Sequence, residues 1–178
     1  MGTVNAARLA EQSLAIRDAI NDPVRLASTR IAGRDRNPVR DVPGKGMPLI
    51  GFRGNTGGWF QFTVLGSLRP LFLSPSGAIQ GGSKHGHAEE GREIIAREGY
   101  AVGAILVRSG EVIDGLQVVF MRMKPDGLSL DPQDFYVSDW LGKEGGGAQE
   151  LSGKGKLIIG ITATSNDAVE SLGLVYLK

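Results

Sequence analysis

Asp114 stands four residues after Gly110, in the stretch Ser109-Gly110-Glu111-Val112-Ile113-Asp114. A glycine-started turn that delivers a carboxylate suits the recognition of paired hydroxyls. An ionised carboxylate accepts from two adjacent hydroxyls, and such charge-assisted hydrogen bonds are the stronger kind. Gly110 permits a positive φ and a close approach of ligand to backbone, and the loop's own N–H groups are donors. The plainer reading of the same residues is a hairpin turn whose acid merely opens the next strand; both readings stand at this level. Near the C-terminus the pattern returns with substitutions, Asn166 at the glycine and Glu170 at the acid. Asn tolerates left-handed backbone. Glutamate is a methylene longer and shifts the acceptor by about a bond length, so this second loop is expected to be the weaker site.

Other reactive-looking clusters carry less. His85-Gly86-His87 with Glu89 and Glu90 offers zinc-type ligands, but these are the chain's only two histidines and it has no cysteine. A solvated polar loop is the expectation there, and no metal. Gly142-Lys143-Glu144-Gly145-Gly146-Gly147 lacks the Gly-Lys-Ser/Thr ending of a phosphate loop. No nucleophile-elbow motif occurs. The chain is therefore expected to be neither an enzyme nor a cofactor protein.

The elements that position these loops repeat. Ser109–Phe120 and Ser165–Tyr176 share a polar turn, an apolar residue, an acid, a small residue, Leu, and an alternating run ending in an aromatic. A looser copy is Val64–Phe72, with Gly66 at the acid position. Each copy follows an apolar strand containing glycine: Ile50-Gly51-Phe52, Val102-Gly103-Ala104-Ile105 and Ile159-Gly160-Ile161. The anchors Leu68, Leu116 and Leu172 lie about 50 residues apart, which indicates one supersecondary unit used three times. Such a unit has one apolar face and is unstable alone. Three around an axis bury those faces together, which predicts an all-β body of three antiparallel sheets with pseudo-threefold symmetry. Ile50, Phe52, Leu68, Ile105, Val107, Leu116, Val118, Ile159, Ile161, Leu172 and Leu174 are its predicted core.

Composition agrees. The 178 residues include 27 glycines, about twice the usual ~7% share, clustered in turns between β-branched runs. A net charge of +1 without a dense basic cluster argues against a nucleic-acid partner. No apolar run has the length of a membrane span, and the N-terminus has no apolar core of a signal peptide.

Residues 1–46 read differently from 47–178. Val4 to Ile20 is rich in helix formers, with Leu9, Ile16 and Ile20 on one face and Gln12 and Ser13 interrupting it. Asp22-Pro23 reads as an N-cap with proline at the first helical position, predicting a second helix to about Ala32. This N-terminal helical segment is expected to lie outside the core, dispensable for folding, and to serve a homo-oligomer contact or a neighbouring domain. From residue 47 onward strands are predicted at 48–53, 59–65, 67–73, 93–97, 101–108, 112–122, 135–139, 157–163 and 168–177, separated by glycine-rich loops at 77–92 and 141–156.

Asp114 two residues before Leu116, Trp140 followed by Gly142 and Gly145-Gly146-Gly147, and the ending Leu172-Gly173-Leu174-Val175-Tyr176-Leu177 resemble the jacalin-related lectins over roughly residues 40–178. Asp41-Val42-Pro43, Leu49-Ile50-Gly51-Phe52, Ile113-Asp114-Gly115-Leu116 and Phe120-Met121-Arg122 further resemble a group of bacterial jacalin-like domains. The resemblance implies the β-prism I fold and carbohydrate binding through a G-x-x-x-D loop beside a Gly-Gly turn. Carried onto this chain, the implied site is Gly110, Val112, Ile113 and Asp114 with the turn Gly145, Gly146 and Gly147. Asn166 and Glu170 form the weaker second site. Trp59, in Gly54–Phe60, has a face for stacking on a sugar, though a partly buried strand residue is the commoner role. The implied function is a non-catalytic, weak and multivalent sugar-binding module of a larger protein or assembly. The alternative is a structural assembly module with the same prism and no sugar.

Overall fold

The computed structural model describes residues 2–178. A helix α1 (Gly2–Ile20) and one 3-10 turn (Pro23–Arg25) are followed by fifteen strands. They are β1 (Leu26–Ser28), β2 (Ala32–Gly33), β3 (Val39–Asp41), β4 (Leu49–Trp59), β5 (Phe62–Leu73), β6 (Ile79–Gly81), β7 (Arg92–Ile95) and β8 (Tyr100–Ser109). Then come β9 (Ile113–Lys124), β10 (Gly127–Leu128), β11 (Phe135–Val137), β12 (Leu141–Gly142), β13 (Gly147–Ser152), β14 (Ile158–Ser165) and β15 (Val169–Leu177). All sheet pairings are antiparallel and fall into three sheets. Each is built on one long hairpin: β4–β5, β8–β9 or β14–β15. Short strands flank every hairpin: β7 and β6 in the first sheet, β13 and β10–β12 in the second, β3 and β1–β2 in the third.

The three inner faces meet in one core, and every residue of the predicted core is buried. Phe52, Phe72 and Phe120 are its largest fully buried side chains. Two smaller clusters cap the core along the axis. At the hairpin-turn end Val64, Val112 and Ala168, one from each unit, pack together with Trp59 leaning on them. At the opposite end Ile50, Ala101 and Ile159, near the starts of β4, β8 and β14, pack with Met123, Val175 and the helix residues Ile16 and Ala19.

The N-terminal segment departs from expectation. Asp22 does cap, accepting from the Val24 amide at 3.0 Å, but the predicted second helix stops after one turn. Leu26–Ser28 pairs with Val175–Leu177, Ala32–Gly33 with Ser171–Leu172, and Val39–Asp41 with Ile161–Ala163. Open strand edges on β14 and β15 override a weak local helix preference. The third sheet thus takes its hairpin from the C-terminus and its flanking strands from the N-terminus, across the boundary expected at residue 46. The first two units draw both from contiguous sequence.

The helix is also integral to the body. The two polar residues that interrupt its apolar face are what fasten it. Gln12 Nε2 donates to the Lys124 carbonyl at 2.9 Å, and Ser13 Oγ to the Gly46 carbonyl at 2.8 Å. Gly46 takes φ +64, and a methyl there would lie 2.5 Å from the Ser13 carbonyl oxygen. The face expected to serve an oligomer contact is occupied within the chain.

Several stretches read as loops carry strands, including β6 within 77–92 and β12 within 141–156. Gly54–Gly58 continues β4, so β4–β5 is a long hairpin turning at Phe60-Gln61. Gly147–Ser152 forms β13 on the edge of β8, where Ala, Gln and Glu gave no strand signal. The expectation that residues 1–35 are dispensable is reversed, since Leu26 and Ala32 are buried and their strands complete a sheet. Deleting residues 1–35 should abolish cooperative thermal unfolding followed by circular dichroism. Ile16→Ala in the full chain should cost about 2–4 kcal/mol in denaturant titration.

Candidate functional site

The candidate acids owe their direction to a fault in the ladder. Near its turn each hairpin skips one residue of register, between Arg108/Ser109, Thr164/Ser165 and Asn55/Thr56 on the first strand. The residue left over on the second strand is Asp114, Glu170 or Gly66. A β-bulge re-aims the side chain it carries and leaves its backbone groups off the ladder. The stranded carbonyl is taken by a second loop at each corner. Lys143 N–H donates to Asp114 O at 2.8 Å, Arg34 N–H to Glu170 O at 2.9 Å, and Ala88 N–H to Gly66 O at 3.2 Å. Those loops all contain a left-handed glycine: Gly142 (φ +93), Gly33 (φ +77) and Gly86 (φ +84). Each abuts the carbonyl of the bulged residue, so a Cβ there would lie 2.2–2.5 Å from it.

At the first corner the structure brings Asp114 together with the glycine turn. A methyl on Gly145 would lie 3.2 Å from Asp114 Cγ, and one on Gly146 (φ +66) would lie 2.5 Å from Oδ2. The carboxylate is half-buried, while Gly110, Gly146 and Gly147 are exposed. Partial burial pushes the Asp114 carboxyl above its ordinary range, and the Gly110 backbone amide pulls it the other way. Gly110 does not take positive φ, so its expected conformational role is absent. A methyl there would meet nothing within 4 Å, so the open approach remains. Val112 and Ile113 are buried, which leaves only their main chain to face a ligand.

The second corner has the same backbone. Asn166 N–H donates to Ala168 O at 3.0 Å, matching Gly110 to Val112 at 3.0 Å. Neither Gly110 nor Asn166 has positive φ, so the glycine-to-asparagine change does not alter the turn. Its partner loop is Gly33–Asn37, and Asn37 takes the left-handed φ (+52) that Gly146 takes at the first corner. Sequence reading missed this loop because it lies over 130 residues from Glu170. The signal was a shared triplet of small or apolar residue, Gly and base, Ala32-Gly33-Arg34 and Leu141-Gly142-Lys143. Arg34 then pairs with Glu111 of the first corner's turn.

The third corner is closed. A Cβ on Gly66 would lie 2.5 Å from Gly57 Cα and 2.8 Å from Ala88 Cβ, so the long β4–β5 hairpin fills the space a carboxylate would need. Its partner loop is His85-Gly86-His87, not the free polar loop expected. His85 is buried, exchanges backbone hydrogen bonds with Leu68 at 2.8 Å, and its Nε2 lies 3.2 Å from Asp41 Oδ2 on β3. Glu90 bonds Arg53 and Arg69. Among the described residues no group of three or more His, Asp or Glu is placed to hold a metal.

This architecture is that of the jacalin-related lectins. The solved artocarpin–mannotriose complex superposes with TM-score 0.62 at 12% identity, over 86% of this chain and 98% of that one. The mannose-binding lectin from Champedak gives 0.60 at 13%, over 86% and 97%. The mannose-specific jacalin-related lectin from Morus nigra, in complex with mannose, gives 0.57 at 16%, over 86% and 95%. No family model and no curated protein sequence matches. The β-prism fold is therefore shared while almost all side chains differ.

Asp114→Ala should change stability by less than ~1 kcal/mol, because the bulge is held by backbone hydrogen bonds. Gly146→Val should destabilise by more than ~1 kcal/mol, since it places a β-branched residue at positive φ against the carboxylate. Denaturant unfolding of both variants checks the contrast.

Proposed function

We propose that this chain is a non-catalytic carbohydrate-binding module that takes neutral hexopyranoses at the Asp114 corner. The carrying observation is the Asp114 carboxylate standing on a bulge against the Gly145–Gly146 backbone, at the open end of the prism. The carboxylate accepts from two neighbouring hydroxyls of one ring face. Backbone amides of the Gly110–Asp114 loop and of the glycine turn are the available donors, and the absence of side chains at Gly145–Gly147 leaves room for the ring. Mannose is the first sugar to try, because the structural neighbours named above include mannose-bound lectins. The N-terminal helix packs at the other end of the prism, so it does not cover this corner.

Glu170, with Asn166 and the Arg34–Asn37 loop, is the second and weaker site. It has the same bulge but a longer acid and no triple-glycine turn. A single shallow corner binds weakly, and useful strength comes from presenting two corners or several copies to one glycan surface.

A glycan array should show binding by wild type and none by Asp114→Ala, with Glu170→Ala reducing the signal less. Wild type that binds no glycan at millimolar concentration would remove this function.

The carboxylate must be ionised to accept from two hydroxyls. Its raised pKa therefore places the loss of binding, as pH falls, at a midpoint above the ordinary aspartate value. Titration calorimetry across acid pH should show this midpoint, and Asp114→Asn should show weak binding without it.

A further inference from the structure

The tip of the β4–β5 hairpin carries Trp59, Phe60 and Phe62. Phe60 is 86% exposed and Phe62 54% exposed, which is unusual for side chains of this size. Trp59 and Phe60 pack edge to face with centroids 4.9 Å apart, and Trp59 and Phe62 lie 6.5 Å apart. Phe60 occupies the turn with φ +52, a position where Asn or Gly is favoured and a bulky residue is strained. Beyond its edge contact with Trp59 the Phe60 ring stays in solvent, and a strained backbone that holds it there points to a contact outside the chain.

The tip's position identifies the contact. Trp59 packs on the cluster that contains Val112. Asp114 follows Val112 by two residues, so their Cα atoms are at most about 7 Å apart. The pseudo-threefold arrangement locates the tip on the other side as well. At the second corner Arg34 of the partner loop reaches Glu111, in the neighbouring turn. At the third corner His87 of the partner loop reaches Asp167, again in the neighbouring turn. The matching residue at the first corner is Lys143, and the neighbouring turn there is the aromatic tip. β12, which begins that partner loop, lies against β4 and β5. The corner that lost its own carboxylate at Gly66 thus lends a hairpin to the corner that kept one.

Resting on the carbohydrate reading above, we propose that Phe60 and Phe62 form a stacking subsite beside the Asp114 corner. The preferred ligand is then an oligosaccharide, one ring held by Asp114 and the next laid on the aromatic tip. The C–H face of a pyranose is apolar with outward-pointing, weakly positive hydrogens, and the aromatic face is its electronic complement.

The test is calorimetric titration with methyl α-mannoside and with mannotriose, on wild type, Asp114→Ala, Phe60→Asn and the double variant Phe60→Asn/Phe62→Ser. Asparagine suits the left-handed turn, so Phe60→Asn should unfold at a higher temperature than wild type, which separates loss of ligand from loss of fold. Wild type should bind mannotriose about tenfold more tightly than the monosaccharide, a factor in keeping with one aromatic stacking contact. The double variant should bind both equally while keeping the wild-type affinity for the monosaccharide. In a Trp140→Phe background, Trp59 fluorescence should change with mannotriose and not with the monosaccharide. A trisaccharide preference unchanged in the double variant overturns the proposal while leaving the Asp114 site intact. Equal losses on both ligands overturn it too, as does a double variant that only converts a wild-type dimer to monomer in sedimentation. Wild type that binds neither sugar removes the Asp114 site and the subsite together.

Discussion

The fold depends on one closure, the pairing of residues 26–41 with the C-terminal hairpin β14–β15. Each of the three sheets has a single apolar face, and none is stable while that face meets water. The first two sheets are assembled from contiguous stretches of chain. The third exists only when the two ends of the chain meet. Until then β14 and β15 have open edges and the core is exposed on one side. Helix α1 completes the same closure, because Ile16 and Ala19 cover the end of the core where the three units begin.

Closing the helix end frees the turn end. There the backbone repeats one device three times, a bulged residue whose carbonyl is taken by a loop with a left-handed glycine. Because backbone hydrogen bonds build the device, it does not require one particular side chain on the bulge. One corner has an aspartate facing bare glycines, another a glutamate facing a longer-chained loop, and the third a glycine packed under a neighbouring hairpin. A symmetric scaffold thereby carries three chemically different corners. The sequence identities of 12–16% to the mannose-bound neighbours fit such a division, since the frame constrains few residues outside the core and the tight glycines.

Exposed polar contacts between side chains tie the corners to one another instead of supporting the core. Arg34 with Glu111 and His87 with Asp167 each join a partner loop to the next unit's turn. These pairs are exposed, so they contribute little stability. Their positions limit how the loops sit relative to the acids. The first corner has no such acid in the adjoining turn, and apolar rings stand there.

Much of this was legible in the residues. Leu68, Leu116 and Leu172, each followed by alternating apolar positions, determined that one hairpin unit is used three times with one face inward, because a period of two leaves no other face to bury. Gly110, Asp114 and the Gly145–Gly147 turn were legible as candidates because carboxylate and glycine patterns are local. What only the tertiary structure decided is what lies across from them. Residues 23–33 have a helix-start pattern, yet they pair as strands because edges formed far along the chain outbid a local preference. Gly33–Asn37 became the partner of Glu170, and His85 a buried link to Asp41, through contacts that no neighbouring residue encodes. The side-chain alternation was set by the chain's own period; the partners of each corner were set by closure of the prism, which brings distant segments within hydrogen-bonding distance.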